Sequence, residues 1–254
     1  MRFENRMNFP RLFPSHFSRN RQVERVGFIG LTAISLLTVL PILVVVIYIL
    51  LQGAPAISWT FVSEMPSNGM RSGGILPAII GTLYLTIGTA IFSVPLGVAA
   101  AVYISEYATD NQWTRLIRIA IINLAGIPSV VYGLFGLGLF VIFLRFGTSI
   151  LAASLTLSIM TLPVIISTAE EALRSVPNSF RVVSTSLGGS RWQTIWKIIL
   201  PEALPGILTG VILGLERAAG ETAPILFTGA AFFLPRLPNS PLDATMALPY
   251  HLFV

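Results

Sequence analysis

Val26 to Leu51 runs for 26 residues without a charge, and residues 72–105 are again free of charge. Few folds can accommodate such stretches. At about 1.5 Å per residue the first is long enough to cross a hydrocarbon core of about 30 Å. A secretory signal core would be only about 7–15 residues, so Ala54-Pro55-Ala56 is not read as a cleavage site and the first run is an uncleaved span. Pro41 is expected to kink it. The chain as a whole is 54% hydrophobic and 11% charged, where soluble domains carry about a quarter charged residues. The fold class expected is an all-α polytopic membrane protein.

Four more apolar segments follow. Ile75 to Tyr103 is a second span, with Gly81, Gly88 and Gly97 suited to close helix contact. Ile119 to Leu144 is a third, interrupted by Gly126-Ile127-Pro128-Ser129 and Tyr132-Gly133, which reads as a packing kink, with a gating hinge as the alternative. Thr148 to Ser167 is a fourth. A fifth starts at Leu204 within the apolar run Ala203 to Pro235. The chain therefore divides into a basic tail (1–25), a first transmembrane helix with its outer loop (26–71) and a membrane core (72–254) that includes the polar loop 170–201. With the N-terminus in the cytoplasm, alternating spans place twelve Lys and Arg residues inside and three outside (Arg71, Arg145 and Arg236), a clear positive-inside bias. A multi-pass membrane protein with a cytoplasmic N-terminus is expected.

Several functions are excluded. The chain has no cysteine, which removes disulfides, iron–sulfur clusters and thiolate zinc sites, and His16 and His251 are too far apart in sequence to suggest a metal site. A P-loop needs its lysine in a glycine-rich frame, yet the only lysine, Lys197, follows Trp196. No nucleophile elbow is present. The net charge of +5 is scattered between apolar runs, which argues for topology and against nucleic acid. The expectation is a protein that is not an enzyme and holds no cofactor itself.

The loop 170–201 is the most organised polar stretch. Pro177 and Asn178 break one helix and start another. Phe180, Val183 and Leu187 recur at helical spacing, and Gly188-Gly189 stops that short amphipathic helix. Ser190 with Gln193 forms a capping box that starts a second helix toward Leu200. Two short helices around a glycine turn suit a docking element. The loop resembles the cytoplasmic EAA loop of ABC importer permeases, E-A-A-x3-G-x9-I-x-L-P. Val182-Val183-Ser184 stands at the first three letters, followed by Gly188, Ile198, Leu200 and Pro201. The resemblance implies that Arg181, Val182, Val183, Ser184, Gly188, Gly189, Ile198, Leu200 and Pro201 form the coupling loop for a separate ATPase, which binds the ATP and magnesium. Val182 and Val183 depart from the family's acidic residue and first alanine.

Charges reappear inside the fifth apolar run at Glu216, Arg217 and Glu221. Arg217 lies thirteen residues past Leu204, about 20 Å along a helix, where a charge costs about 2.5–3.5 kcal/mol on insertion scales and so needs a cavity or a partner. Arg217 and Glu221 share a face, so an intrahelical pair is expected, while Glu216 points about 100° away. Gly206, Gly210, Gly214 and Ala218 form a smooth packing face. An arginine at this depth presents a donor fork suited to a phosphate-like anion.

The GETAP step (220–224), with AGIPSVVYGLFGLGLF (125–140) and SGGILPAIIGTLYLT (72–86), resembles the A-type permease subunit of phosphate importers. That resemblance implies a type I ABC importer permease fold, with Arg217, Glu221, Glu216 and Thr222 on the substrate path. It also implies a heterodimer with a C-type permease, two cytoplasmic ABC ATPases, a periplasmic or lipid-anchored phosphate-binding protein and a surrounding lipid bilayer. Such permeases have six spans, so a sixth beyond Val254 is expected. Glu216 departs from the small residue usual there. The alternatives are a related permease for molybdate or sulfate, or a gradient-driven transporter needing no ATPase.

Overall fold

The computed structural model describes residues 21–67, 72–234 and 236–253. Arg2, Arg6, Arg11, Arg19 and His16 of the tail, together with Arg71 and Pro235, lie outside the described residues. The chain forms two compact units, Met1–Ser58 and Trp59–Val254. The described part of the first is a helix, α1 (Arg21–Gly53), which stays continuous through Pro41 and ends in a 3-10 turn, Ala54–Ala56. Its apolar side chains surround the axis, which suits lipid on all sides.

The second unit opens with a short helix, α2 (Trp59–Ser63), whose end is tied to the start of α3 (Leu76–Val102) by Ile75 N–H donating to Phe61 O at 2.9 Å. Around a central helix, α6 (Ile150–Ser175), pack α3, α4 (Gln112–Ala125), α5 (Ser129–Gly136), α9 (Leu200–Gly220) and α10 (Ala223–Thr228). Apolar burial gives helices little reason to associate in lipid, so close backbone approach has to hold them. Glycine supplies it. On α3, Gly88 faces Ser154 and Gly97 faces Ile165, so α3 and α6 run parallel. On α9, Gly206 faces Ala172, Gly210 faces Thr168 and Gly214 faces Ile165, so α9 runs antiparallel to α6. The small-residue face expected on α9 is the face that meets α6. A buried hydroxyl adds a polar tie, with Ser158 donating to Thr89 O across the α3–α6 contact at 3.1 Å.

The third span is not one kinked helix. Residues 119–144 belong to α4 and to α5 with its π-helical extension Leu137–Phe143, and these two arms meet at 100°. Pro128 adopts an extended conformation (φ −58°, ψ 140°) and has no N–H to carry the helix on. Tyr132 then donates to Leu124 O at 2.7 Å, a carbonyl that also accepts from Ile127 N–H at 3.2 Å, and so ties α5 back to the end of α4. At 14 residues α4 is about 21 Å long, too short to cross alone. Sequence hydropathy could not separate a kink from a corner, because both arms are apolar.

The fifth span also differs from its expectation at both ends. It begins at Arg191 and runs through α8 (Arg191–Thr194) and a π turn (Ile195–Ile199) into α9 without interruption. Pro201 cannot donate to the carbonyl four residues back, and the wider π turn directly before it accommodates that loss. The helix stops at Gly220, well short of Pro235. Beyond α10 the chain folds back over the starts of α3 and α6: Thr245 N–H donates to Gly229 O at 3.0 Å, Ile150 N–H to Asp243 O at 2.9 Å and Leu248 N–H to Thr82 Oγ1 at 2.9 Å. Thr245, Met246 and Ala247 are buried there, and α11 (Leu248–Phe253) follows.

The segments around Glu106–Arg118 and Val176–Arg191 meet at one end of the bundle, as the alternation of inner and outer loops requires. The 229–247 segment lies at the other end.

Candidate functional site

At the polar end, α7 (Asn178–Ser186) starts directly after Pro177 and ends in a Schellman motif. Gly189 N–H donates to Ser184 O and Gly188 N–H to Thr185 O, both at 3.0 Å. Gly188 takes φ +81°, the left-handed conformation that favours glycine at this turn. The capping box is present as expected: Ser190 Oγ accepts from Gln193 N–H, and Gln193 Oε1 accepts from Ser190 N–H at 2.9 Å. Ser184 and Thr194, both buried, join their hydroxyls at 2.7 Å and fasten α7 to α8.

Val182, Val183 and Leu187 are left exposed, Leu187 at 84%. With Phe180 and Ile198, Val183 and Leu187 line a shallow apolar groove of about 450 Å³. The 170–201 loop is thus narrower than expected. Its first residues end α6 and its last begin the fifth span, so Ile198, Leu200 and Pro201 lie inside a long helix. Ile198 lines the groove, while Leu200 lines a separate apolar cleft that includes Trp192 and Trp196. Those two indoles sit 5.4 Å apart.

Arg181, expected as a docking contact, spends its guanidinium inside the fold. Nε and Nη2 form a fork on Glu106 at 3.2 and 2.6 Å, Nη1 donates to Val176 O at 2.9 Å and Nη2 to Leu173 O at 3.0 Å. Glu106 is nearly buried, at the end of the π turn Tyr103–Tyr107 that closes α3. Its backbone carbonyl accepts from Arg191, whose guanidinium also lies over the Tyr107 ring. Nearby, Glu170 Oε1 lies 3.0 Å from both Arg118 Nε and Arg174 Nη2, although the Arg118 Nε–H is not aligned for a hydrogen bond. Sequence reasoning passed over Glu106, Arg118 and Glu170. The available signal was Glu106 as the first charge after the charge-free run 72–105.

Arg217 occupies the last turn of α9, where a helix C-terminus favours a cation. It lies one turn beyond Gly214, which faces Ile165 and Thr161 near the middle of α6. Glu221 is not in the helix. It is the first extended residue after it (φ −76°, ψ 137°), and its carboxylate reaches back to Arg217 Nε at 3.5 Å. The pair exists, but across a helix end and at long range. The Arg217 side chain remains 40% exposed, Glu216 beside it is exposed, and Glu221 and Thr222 are half-buried. Tyr132 of the α4–α5 corner and Ala218, the residue after Arg217, belong to one buried apolar cluster. The helix break, the corner and the two charges therefore converge at mid-bundle.

Parallel and antiparallel helices around α6, an interrupted third span and an amphipathic helix pair projecting from one end define a type I ABC importer permease fold. The family of binding-protein-dependent transport system inner membrane components matches residues 93–253, and the chain belongs to that family. It is 37% identical over 190 residues to the probable ABC transporter permease protein YqgI of Bacillus subtilis, covering 75% of this chain and 64% of that one. With YqgH of the same organism the identity is 35% over 247 residues, 91% of this chain and 79% of that one. The phosphate transport system permease protein PstA 1 of Mycobacterium tuberculosis is 39% identical over 155 residues, 61% of this chain and 50% of its own length. The chain thus spans between half and four-fifths of these relatives. Among solved structures, the inward-facing MetNI methionine ABC transporter superposes with a TM-score of 0.53 at 20% identity, over 57% of this chain and 69% of the other.

Proposed function

We propose that this chain is a translocation-path subunit of an ATP-driven phosphate importer in the bacterial inner membrane, with its N-terminus in the cytoplasm. The observation that carries the reading is Arg217, a permanent cation at mid-bundle whose side chain stays 40% exposed and whose ion pair spans 3.5 Å. A charge kept at that depth needs water, a ligand or a neighbouring subunit. Its planar fork matches a tetrahedral oxyanion, and Glu221 gives it a resting partner that an anion displaces. The phosphate transport permeases among the relatives support the choice of oxyanion.

A second permease of C-type completes the pathway, and two ATPases supply the energy. The apolar groove formed by Phe180, Val183, Leu187 and Ile198 is their contact on this chain, with Val182 offering an apolar side chain where the family has an acidic one. A periplasmic or lipid-anchored binding protein delivers the anion from the opposite end. ATP and magnesium reside on the ATPases alone.

Uptake of radiolabelled phosphate by vesicles containing the full partner set tests this reading. ATP-dependent phosphate uptake that sulfate and molybdate do not compete away is the expected result. Preferential competition by molybdate or sulfate reassigns the oxyanion, a reading to which the exposed Glu216 beside Arg217 lends weight. Uptake that persists without the ATPase, driven by an ion gradient, overturns the ATP-coupled reading.

A further inference from the structure

The ATPase-facing helix α7 could ride on any of its neighbours, and which one it rides on decides where a pull on it goes. By chain connectivity it hangs between α6 and α8, joined to α6 by two residues, Val176 and Pro177, and to α8 by the Schellman turn. Neither connection fixes its orientation relative to α3. Side chains do. Arg181 leaves α7 and forks onto Glu106, and the same guanidinium holds the carbonyls of Leu173 and Val176 at the end of α6. Arg191, at the start of α8, binds the carbonyl of Glu106. One residue at the tip of α3 therefore gathers the cations of both helices of the docking element.

We infer that Glu106 is a positioning residue for energy coupling: it clamps Arg181 so that the docking helix α7 and the inner end of α3 move as one body. The inference rests on the transport reading above but concerns a different pair of residues. Three properties favour a rigid clamp over an incidental surface pair. The contact is bidentate, which sets direction as well as distance. Glu106 is 9% exposed and Arg181 25% at the side chain, so water competes poorly for either. Arg181 has four hydrogen bonds to three different residues, so rotating it away breaks all of them together.

The consequence is mechanical. Motion of α7 passes into α3, and from α3 through the glycine contacts Gly88–Ser154 and Gly97–Ile165 to α6. Without the clamp, α7 keeps its ties to the end of α6 and, through Ser184–Thr194, to α8, but nothing of its own holds it against α3. The π turn Tyr103–Tyr107 is what brings Glu106 under α7, and π turns are frequent at functional sites.

The test uses Glu106→Gln, which keeps the shape and removes the charge, and Arg181→Lys, which keeps the charge and removes the fork. Because the chain has no cysteine, spin labels can be placed at Tyr103 on the π turn and Asn178 on α7, both exposed. Full-length wild-type permease, alone and in the assembled complex, should give one narrow Tyr103–Asn178 distance that nucleotide does not change. In both variants that distance should broaden. In reconstituted complexes, ATPase recovery should match wild type while ATP consumed per anion moved rises on the order of tenfold. A distance equally narrow in wild type and both variants overturns the clamp, as does an unchanged coupling ratio in both. If wild type moves no phosphate, the substrate reading fails. The distance measurement, which needs no transported solute, still tests the clamp.

Discussion

Arg181 and Arg217 each meet a glutamate, and their surroundings could hardly differ more. Arg181 at the polar end has a bidentate carboxylate and two carbonyls, with its closest contact at 2.6 Å. Arg217 at mid-bundle has, among the described residues, one ion pair at 3.5 Å and a side chain 40% exposed. The first spends its hydrogen-bonding capacity inside the fold, and the second keeps most of its five donors uncommitted. A charge with four of its five donors engaged fixes geometry. One with donors to spare, held where lipid is the alternative, is suited to a ligand. The contrast separates an arginine whose valence is spent on the fold from one whose valence is left open, which is what the proposed transport reading requires of Arg217.

Substitutions can break or sharpen that contrast. Arg217→Gln should have the largest effect, lowering ATP-dependent phosphate uptake by about a hundredfold, the usual cost of losing a preorganised anion donor. Complex assembly and melting temperature should stay at the wild-type level. A matching loss of folded protein would make Arg217 a structural charge like Arg181. Arg181→Gln should do the reverse, costing about 3 kcal/mol of stability because Glu106 is left nearly buried and unpaired. Thermal unfolding in detergent reads this, and an unchanged melting temperature would remove the distinction between the two sites.

Smaller effects are expected around the docking turn. Gly188→Pro loses the N–H donated to Thr185 O and cannot adopt φ +81°, so less ATPase should co-purify. A normal amount of ATPase would detach the turn from docking. Gly188→Ala should cost about 1–2 kcal/mol through the left-handed backbone alone. The smallest effect belongs to Asp110→Asn. Asp110 is 98% exposed and 4.0 Å from Arg118, and neither melting temperature nor uptake should change measurably.

Much of the docking element was legible in the sequence because its signals are local. Pro177 before a helix, glycine after one, and Ser190 with Gln193 each act within a few residues, and each appears in the structure as read. The small-residue face of α9 was legible for the same reason, since a spacing of four sets a face whatever it meets. The α4–α5 corner was only half legible: Gly126-Ile127-Pro128 marked a break, but its 100° angle depends on what packs against each arm.

What the sequence by itself determined is therefore the membrane-spanning helical class, the helix starts and stops at the docking turn, and the presence of charge within the fifth apolar run. Those follow from hydropathy, backbone sterics and capping, which operate over a turn or two of chain. Only the tertiary structure decided that Arg181 belongs to Glu106, 75 residues away, and that Glu221 reaches Arg217 from beyond a helix end. Charge pairing acts through space, and which residues become neighbours depends on how the helices pack around α6.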